Sequence, residues 1–315
     1  GHTHSQVKKN IEKILKKENF DLIHVETFYV AQNLPDKIST PVVLTEHNIE
    51  YLVYRRFRNK APFYIKPLLD IDILKLKKIE EEAWGSANAV IAVSNEDKKI
   101  IQYQNNKVFV VPNGVDVAKF QISNRKSQIT NNKKTILFIG DFRWVENRDA
   151  ARMILREIWP EIKFKVHPDS IGTNLKLKLW IVGRKIPDSI RKLGTDGVIF
   201  DEDAPSDASE IFEKADLLLA PIRIGGGTSF KILEAMASGV PVITTRLGAV
   251  GIGAGDREEV IIAENREGFS DSIIKLLKDK NLYEKITKNA RSLVEKEYNW
   301  ENITKELEKV YRSVV

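Results

Sequence analysis

Short apolar runs alternate with helical stretches along most of this chain. In the first half, Val7, Ile11, Ile14 and Leu15 recur at helical spacing, and Asp21-Leu-Ile-His-Val25 then predicts a strand. Further strands are predicted at Pro41–Thr45, Asn88–Val93 and Lys107–Val111. A long helical region fills 48–84, interrupted near Pro62, and Ser94 caps a helix starting near Glu96. The second half restarts at Thr135-Ile-Leu-Phe-Ile-Gly140. Five more strand candidates follow, at Lys178–Val182, Gly197–Phe200, Ala215–Ala220, Val240–Thr244 and Glu259–Ile262. The tail from Phe269 to Val315 reads as helical.

Strands that are apolar throughout are buried on both faces, so the pattern predicts parallel sheets wrapped by right-handed helical crossovers, an α/β architecture. Such sheets present ligands at the carboxyl ends of their strands. The polar stretch from Ser123 to Lys134 reads as an interdomain linker. The expected organisation is an N-terminal domain over 1–125, a second domain over 126–299, and a last helix over 300–315. A doubly wound domain commonly holds about six strands in roughly 100–150 residues. The first half has four candidates, so its front looks incomplete, through truncation, a split gene or small size by design.

Composition narrows the class. Of 315 residues, 42% are apolar and 30% charged, as in globular proteins rather than disordered ones. No apolar run approaches the length of a membrane span. With no cysteine, disulfides and thiolate metal sites are excluded, which fits the cytoplasm. A net charge of +6 favours an anionic partner: a phosphate-bearing substrate, anionic lipid or nucleic acid. The basic residues are dispersed and no nucleic-acid motif is present, so nucleic acid is disfavoured.

The most informative segment runs from Pro221 to Ile243. It reads strand, glycine loop, helix, strand. Gly225, Gly226 and Gly227 form a bare-backbone loop, Thr228 or Ser229 can cap the helix, and Gly239 ends it before Pro241. A glycine loop opening a helix at a strand's carboxyl end cradles phosphate through converging N–H groups and the helix dipole. Lys231 and Glu234, three residues apart, share a face, with Phe230, Leu233 and Ala237 expected on the buried side. A cation suits a diphosphate, and a carboxylate suits the paired hydroxyls of a ribose. The implied ligand is a nucleoside diphosphate carrying a sugar. The alternative is an ordinary glycine turn with a solvated Lys–Glu pair.

Several motifs in order give the whole chain a resemblance to the C-terminal three-quarters of the retaining glycosyltransferases of family 4, group 1, which have the GT-B fold. They are Pro41-Val-Val-Leu-Thr-Glu-His-Asn48, Ala87-Asn-Ala-Val-Ile-Ala-Val-Ser94, Val110-Val-Pro-Asn-Gly-Val-Asp116, Phe138-Ile-Gly140, Lys231-Ile-Leu-Glu-Ala-Met-Ala-Ser-Gly-Val-Pro-Val-Ile243 and Asn299-Trp300. The resemblance implies two Rossmann-like doubly wound domains facing a cleft, a sugar nucleotide bound mainly by the second, and a last helix packing back on the first. It places Glu234 on the ribose and His47 at the donor sugar. Gly140, Arg143, Gly225, Gly226, Gly227, Thr228 and Ser229 complete the expected donor contacts.

Two departures stand out. Gly226 occupies the place of the first glutamate of the family's Glu-x7-Glu motif. The usual Arg and Lys clamp is missing from Gly140-Asp-Phe-Arg-Trp-Val-Glu-Asn-Arg148, where Arg143 or Arg148 could substitute. Arg223 and Lys231 are the preferred cations.

The expected reaction is transfer of a sugar to a hydroxyl on a carbohydrate or lipid-linked acceptor, with retention. The loop N–H groups, Arg223 and Lys231 would stabilise the departing diphosphate, with no metal or cofactor. Asp70, Asp72 and Asp201–Asp203 are disfavoured as metal ligands. Alternatives are a binding-only or inactive fragment and a sugar-nucleotide epimerase. Base recognition is expected near Phe200–Ala204. Tyr64–Lys78 mixes apolar residues with lysines as an interfacial helix does, which would allow peripheral contact with an anionic membrane, but a core helix is the preferred reading.

Overall fold

A computed structural model describes residues 4–120, 133–166 and 175–315. They group into two units. The first comprises residues up to Asn113 with Gly225–Thr228 and Glu301–Val315; the second comprises Gly114–Ile224 and Ser229–Trp300.

In the first unit, strands β1 (Ile23–Glu26), β2 (Val42–Glu46), β3 (Ala89–Ala92) and β4 (Val108–Val110) form one parallel sheet in sequential order. Its helices are α1 (Ser5–Lys17), α2 (Phe28–Ala31), α3 (Glu50–Lys60), α4 (Lys66–Ser86) and α5 (Asn95–Ile101), with a 3-10 turn at Phe63–Ile65. Side chains alternate between the faces of a strand, and both faces are buried. Val25, Leu44, Val90 and Ala92 pack with Trp84 and Ile101 on one face. Val43, Ala89 and Ile91 pack on the other with Ile303 and Val310, from the last helix of the chain.

In the second unit, β5 (Lys133–Ile139), α6 (Val145–Met153), α7 (Trp159–Lys165), β6 (Lys176–Val182), α8 (Asp188–Arg191), β7 (Val198–Asp201), α9 (Ala208–Glu213), β8 (Leu217–Ala220), α10 (Phe230–Ala237), β9 (Val242–Thr244), α11 (Arg246–Val250), β10 (Ile261–Ile262), α12 (Arg266–Lys278) and α13 (Lys280–Glu297) follow in turn. A π-helical turn at Ile154–Ile158 joins α6 to α7, and α14 (Trp300–Arg312) leads into the first unit. The parallel sheet has the order β10-β9-β8-β5-β6-β7. The order therefore reverses between β5 and β8, the position at which open α/β sheets bind ligands. The sequential order of β1–β4 contains no such reversal. Ile136, Phe138, Leu179 and Leu219 fill one face of this sheet, and Leu137, Val182, Leu218 and Val242 fill the other.

All ten predicted strands are present, with ends displaced by a residue or two. Four expectations need correction. Lys133 and Lys134, assigned to the linker, begin β5, where Lys134 is buried and pairs with Asp216 at 3.5 Å. The rest of that linker, and the 125/126 boundary, lies outside the described residues. Phe230 is exposed rather than buried, because Ile232, Leu233, Ala235, Met236 and Ala237 supply the packed face of α10. Ser229 occupies the N-cap position of α10 but makes no side-chain cap bond, and the Thr228 hydroxyl donates to the Val93 carbonyl at 3.0 Å. Stretch 64–78 is only partly a core helix: Ile73 is buried, whereas Leu68, Ile71 and Leu74 are exposed on the other side of α4.

Two other signals hold in detail. Ser94 caps α5 by accepting from the Asp97 N–H at 3.1 Å. Gly239, with φ of 67°, closes α10: its N–H reaches Met236 O, and the Val240 N–H reaches Ala235 O at 2.8 Å. A left-handed residue is required at that point, which glycine adopts without strain.

Candidate functional site

Strands β5 and β8 lie side by side, so α6 and α10, the helices that follow them, begin at the same end of the sheet. Two polar links join the segments there. Lys231 Nζ of α10 donates to Asn147 Oδ1 of α6 at 2.5 Å. Arg223, just after β8, makes a forked ion pair with Asp149 of α6 at 2.9 and 3.0 Å. Asn147 is itself fixed, since its amide nitrogen donates to the Asp141 carbonyl at 2.8 Å. It fits because Gly140 has no side chain: a Cβ there would meet the Asn147 amide at 2.6–2.9 Å.

Burial lowers the Lys231 ammonium to about 8, against the opposing pull of Glu146 and Glu234. The ammonium also lies 5.1 Å from the Phe138 ring centroid. One turn along α10, burial raises the Glu234 carboxyl to about 7, although Lys119 and Lys231 favour its ionised form. Lys119 in turn pairs with Asp207 at 3.3 Å. This end of the sheet thus carries a cation of reduced basicity and a carboxylate of raised pKa, as functional sites commonly do.

A cavity of about 410 Å³ opens beside them, at the carboxyl ends of β5, β6 and β7. Gly140, Asp141, Gly183, Arg184, Asp201 and Glu202 line it. Gly183 is required by close packing, because a Cβ would lie 1.9 Å from the Gly140 carbonyl oxygen. Arg143 is exposed and folded back on Asp141, while Arg148 donates to the Phe142 and Arg143 carbonyls.

The first unit holds the other expected residues. His47 Nε2 lies 2.8 Å from Glu26 Oε2, and Asn113 is a second hydrogen-bonding partner. The Glu26 bond raises the His47 pKa, and the reciprocal bond lowers that of Glu26. His24 adjoins this pair, 3.4 Å from Glu26, with Thr45 and Tyr311 on its two ring nitrogens. The glycine loop groups with this unit. Gly227 has φ of 58°, and a side chain there would strike the His47 carbonyl. Arg56 of α3 donates to the Gly225 carbonyl.

The structure therefore collects Gly140, Lys231, Glu234 and Arg223 around one end of the six-stranded sheet. His47 and Gly225–Thr228 belong to the first unit, and Arg143 stays on its own loop. Sequence reading missed Asn147, Asp149, Arg56 and Glu26. Asn147 and Asp149 follow the first strand of the second unit closely, but an anion site was sought there only among Arg and Lys.

Known protein families resemble both halves of the chain. The profile described as Glycosyl transferases group 1 matches residues 133–279, and that of Glycosyltransferase Family 4 matches residues 5–119. The chain belongs to the family 4, group 1 glycosyltransferases. It is 26% identical over 211 residues to a phosphatidyl-myo-inositol mannosyltransferase of Mycolicibacterium smegmatis, covering 65% of this chain and 51% of the relative. It is 23% identical over 320 residues to an uncharacterized glycosyltransferase of Methanocaldococcus jannaschii, covering 96% of this chain and 77% of the relative. Among solved structures, sucrose-phosphate synthase from Thermosynechococcus elongatus superposes with a TM-score of 0.76 at 18% identity, over 97% of this chain and 76% of the other. Anabaena HepE, in complex with UDP and glucose, gives 0.67 at 16% identity, over 98% and 81%. These likenesses establish the GT-B fold for this family 4 chain.

Proposed function

We propose that this family 4 protein transfers a sugar from a nucleoside-diphosphate donor to a hydroxyl of a carbohydrate or lipid-linked acceptor, with retention at the anomeric carbon. The observation that carries the reading is the Lys231–Asn147 link across the strand-order reversal of the second unit, with Glu234 one turn away. Ligands of open α/β sheets bind at that position. Lys231 would neutralise the diphosphate and Glu234 would accept from the ribose hydroxyls. The adjoining cavity, bounded by Asp201, Glu202 and Ala204, has room for the base.

The demanding step is departure of the nucleoside diphosphate as the anomeric carbon becomes cationic. Positioned donors stabilise the developing charge without reorganising. Lys231 has that character, because Asn147 holds it and burial strengthens its field. Arg223 contributes as one half of an ion pair with Asp149, which makes it a fixed donor rather than a mobile one. His47, held by Glu26, is assigned to the transferred sugar. This chemistry calls for no metal and no resident cofactor. Peripheral contact with an anionic bilayer belongs to the same reading.

Calorimetry with UDP, GDP and ADP, followed by donor turnover, tests the proposal. Tight binding of one nucleotide, lost in Lys231→Ala and Glu234→Ala, is expected. Undiminished binding in both variants would overturn the site. Donor consumed without any acceptor, giving an isomerised sugar nucleotide, would assign an epimerase instead. Turnover that survives a chelator is expected, and abolition by it would remove the metal-independent part.

A further inference from the structure

The exposed side of α4 is apolar and basic at once. Phe63 and Tyr64, in the turn before the helix, are 83% and 68% exposed; Leu68 and Leu74 are 66% and 68% exposed, and Ile71 is 51% exposed. Scattered exposed apolar residues are ordinary, but these five follow one another along a single turn and helix. Helical geometry puts Leu68, Ile71, Leu74 and Lys75 on one side. Ile73, Glu80 and Trp84, on the opposite side, are buried. Lys60, Lys66, Lys75 and Lys78 lie in and beside the patch, with Lys60, Lys75 and Lys78 exposed. The acidic neighbours are unequal: Asp70 is bound to Arg58 at 2.6 Å, Glu81 and Glu82 pair with Lys77 and Lys78 at 3.6 and 3.8 Å, and Asp72 is exposed.

We propose that this face seats the protein on an anionic bilayer, with Phe63, Tyr64, Leu68, Ile71 and Leu74 entering the interface and the lysines meeting lipid phosphates. The inference rests on the peripheral contact included in the proposed function and names the surface that makes it. Charge complementarity selects the occupant. Lysine is depleted from the cores of protein–protein interfaces, whereas an apolar stripe bordered by lysines, with aromatic residues at its end, is how helices lie in a membrane surface. Long lysine stems follow the apolar layer while their ammonium groups stay at the headgroups. No helix among the described residues is long and apolar enough to cross a membrane, so the contact lies in the plane of the surface.

Flotation of the chain with vesicles of phosphatidylglycerol and phosphatidylcholine tests this. Binding to the anionic vesicles at low salt is expected. At least a tenfold weaker partitioning is expected with phosphatidylcholine alone, and likewise for the Phe63→Ser, Leu68→Ser double variant. In Phe63→Trp, emission should shift to the blue on binding and be quenched by brominated lipid. Absence of flotation at low salt, or an unquenched Trp, would overturn the proposal. Self-association of the chain that the double variant abolishes, without flotation, would assign the face to a second copy and overturn it equally. These side chains are exposed, so the double variant should fold, which circular dichroism checks. Nucleotide binding measured on the same samples reports the donor site separately.

Discussion

Lys231 and Asn147 are joined by a 2.5 Å hydrogen bond whose geometry depends on a glycine elsewhere. Asn147 can present its oxygen to the ammonium only because its nitrogen is engaged by the Asp141 carbonyl, and because Gly140 leaves room for the amide. Three short segments thus position one cation. Gly140→Ala should displace the amide and release Lys231. A hydrogen bond to a charged group contributes about 1.5–3 kcal/mol, so nucleoside diphosphate affinity should fall about tenfold or more. Asn147→Ala should show the same loss by calorimetry. Wild-type affinity in both variants would show that Lys231 needs no such support.

The two groups on α10 define a pH window. Burial raises the Glu234 carboxyl to about 7 and lowers the Lys231 ammonium to about 8. Ribose binding wants the carboxylate, so affinity should rise as pH passes through 7. Diphosphate binding wants the ammonium, so affinity should decline as pH passes through 8. The expected profile is a bell with its maximum between those limbs, read by titration calorimetry across pH 5.5–9.5. Glu234→Gln should remove the acid limb alone.

Glu26, 2.8 Å from His47, favours the cationic form of its ring. The bond raises the histidine pKa, so the charge persists to higher pH in the folded chain and disappears as pH rises through the folded value. Glu26→Gln should lower the His47 pKa, measured from its ring-proton shifts in NMR titration. An unchanged value would mean that Asn113 and the surroundings alone set it.

Glu80 of α4 accepts from the Glu50 and Tyr51 N–H groups at 2.7 and 3.1 Å, supplying the first turn of α3 with the cap its own sequence lacks. Burial nevertheless raises its carboxyl to about 8, from an ordinary value of 4.5. The folded chain therefore holds a proton between those values that the unfolded chain has released, and stability falls as pH rises through the window. Buried Glu46, also raised, acts in the same direction. Urea midpoints should be lower at pH 8.5 than at pH 6, and Glu80→Gln should shrink that difference. Glu80→Ala should cost about 1–3 kcal/mol by leaving the two N–H groups unpaired.

Much of the fold was legible because the strands are apolar on both faces. Runs such as Leu217–Ala220 and Ala89–Ala92 can satisfy their burial only inside a parallel sheet. Gly239 before Pro241, and Ser94 before Asn95, marked helix ends through local backbone chemistry. Phe230 misled because an apolar residue at a helix start does not reveal which side meets the core. Thr228 misled because its hydroxyl found the carbonyl of Val93, 135 residues away in the chain.

The strand and helix alternation, the glycine loop and the Lys231–Glu234 spacing on one helical face were written locally, since each depends on residues close together in the chain. The partners those side chains received came from the folded arrangement. Strand order brought α6 beside α10, so Asn147 met Lys231 and Asp149 met Arg223; burial then moved Lys231 and Glu234 toward neutral pH. Pairings and burial of that kind arise between segments more than seventy residues apart, and no local pattern encodes them.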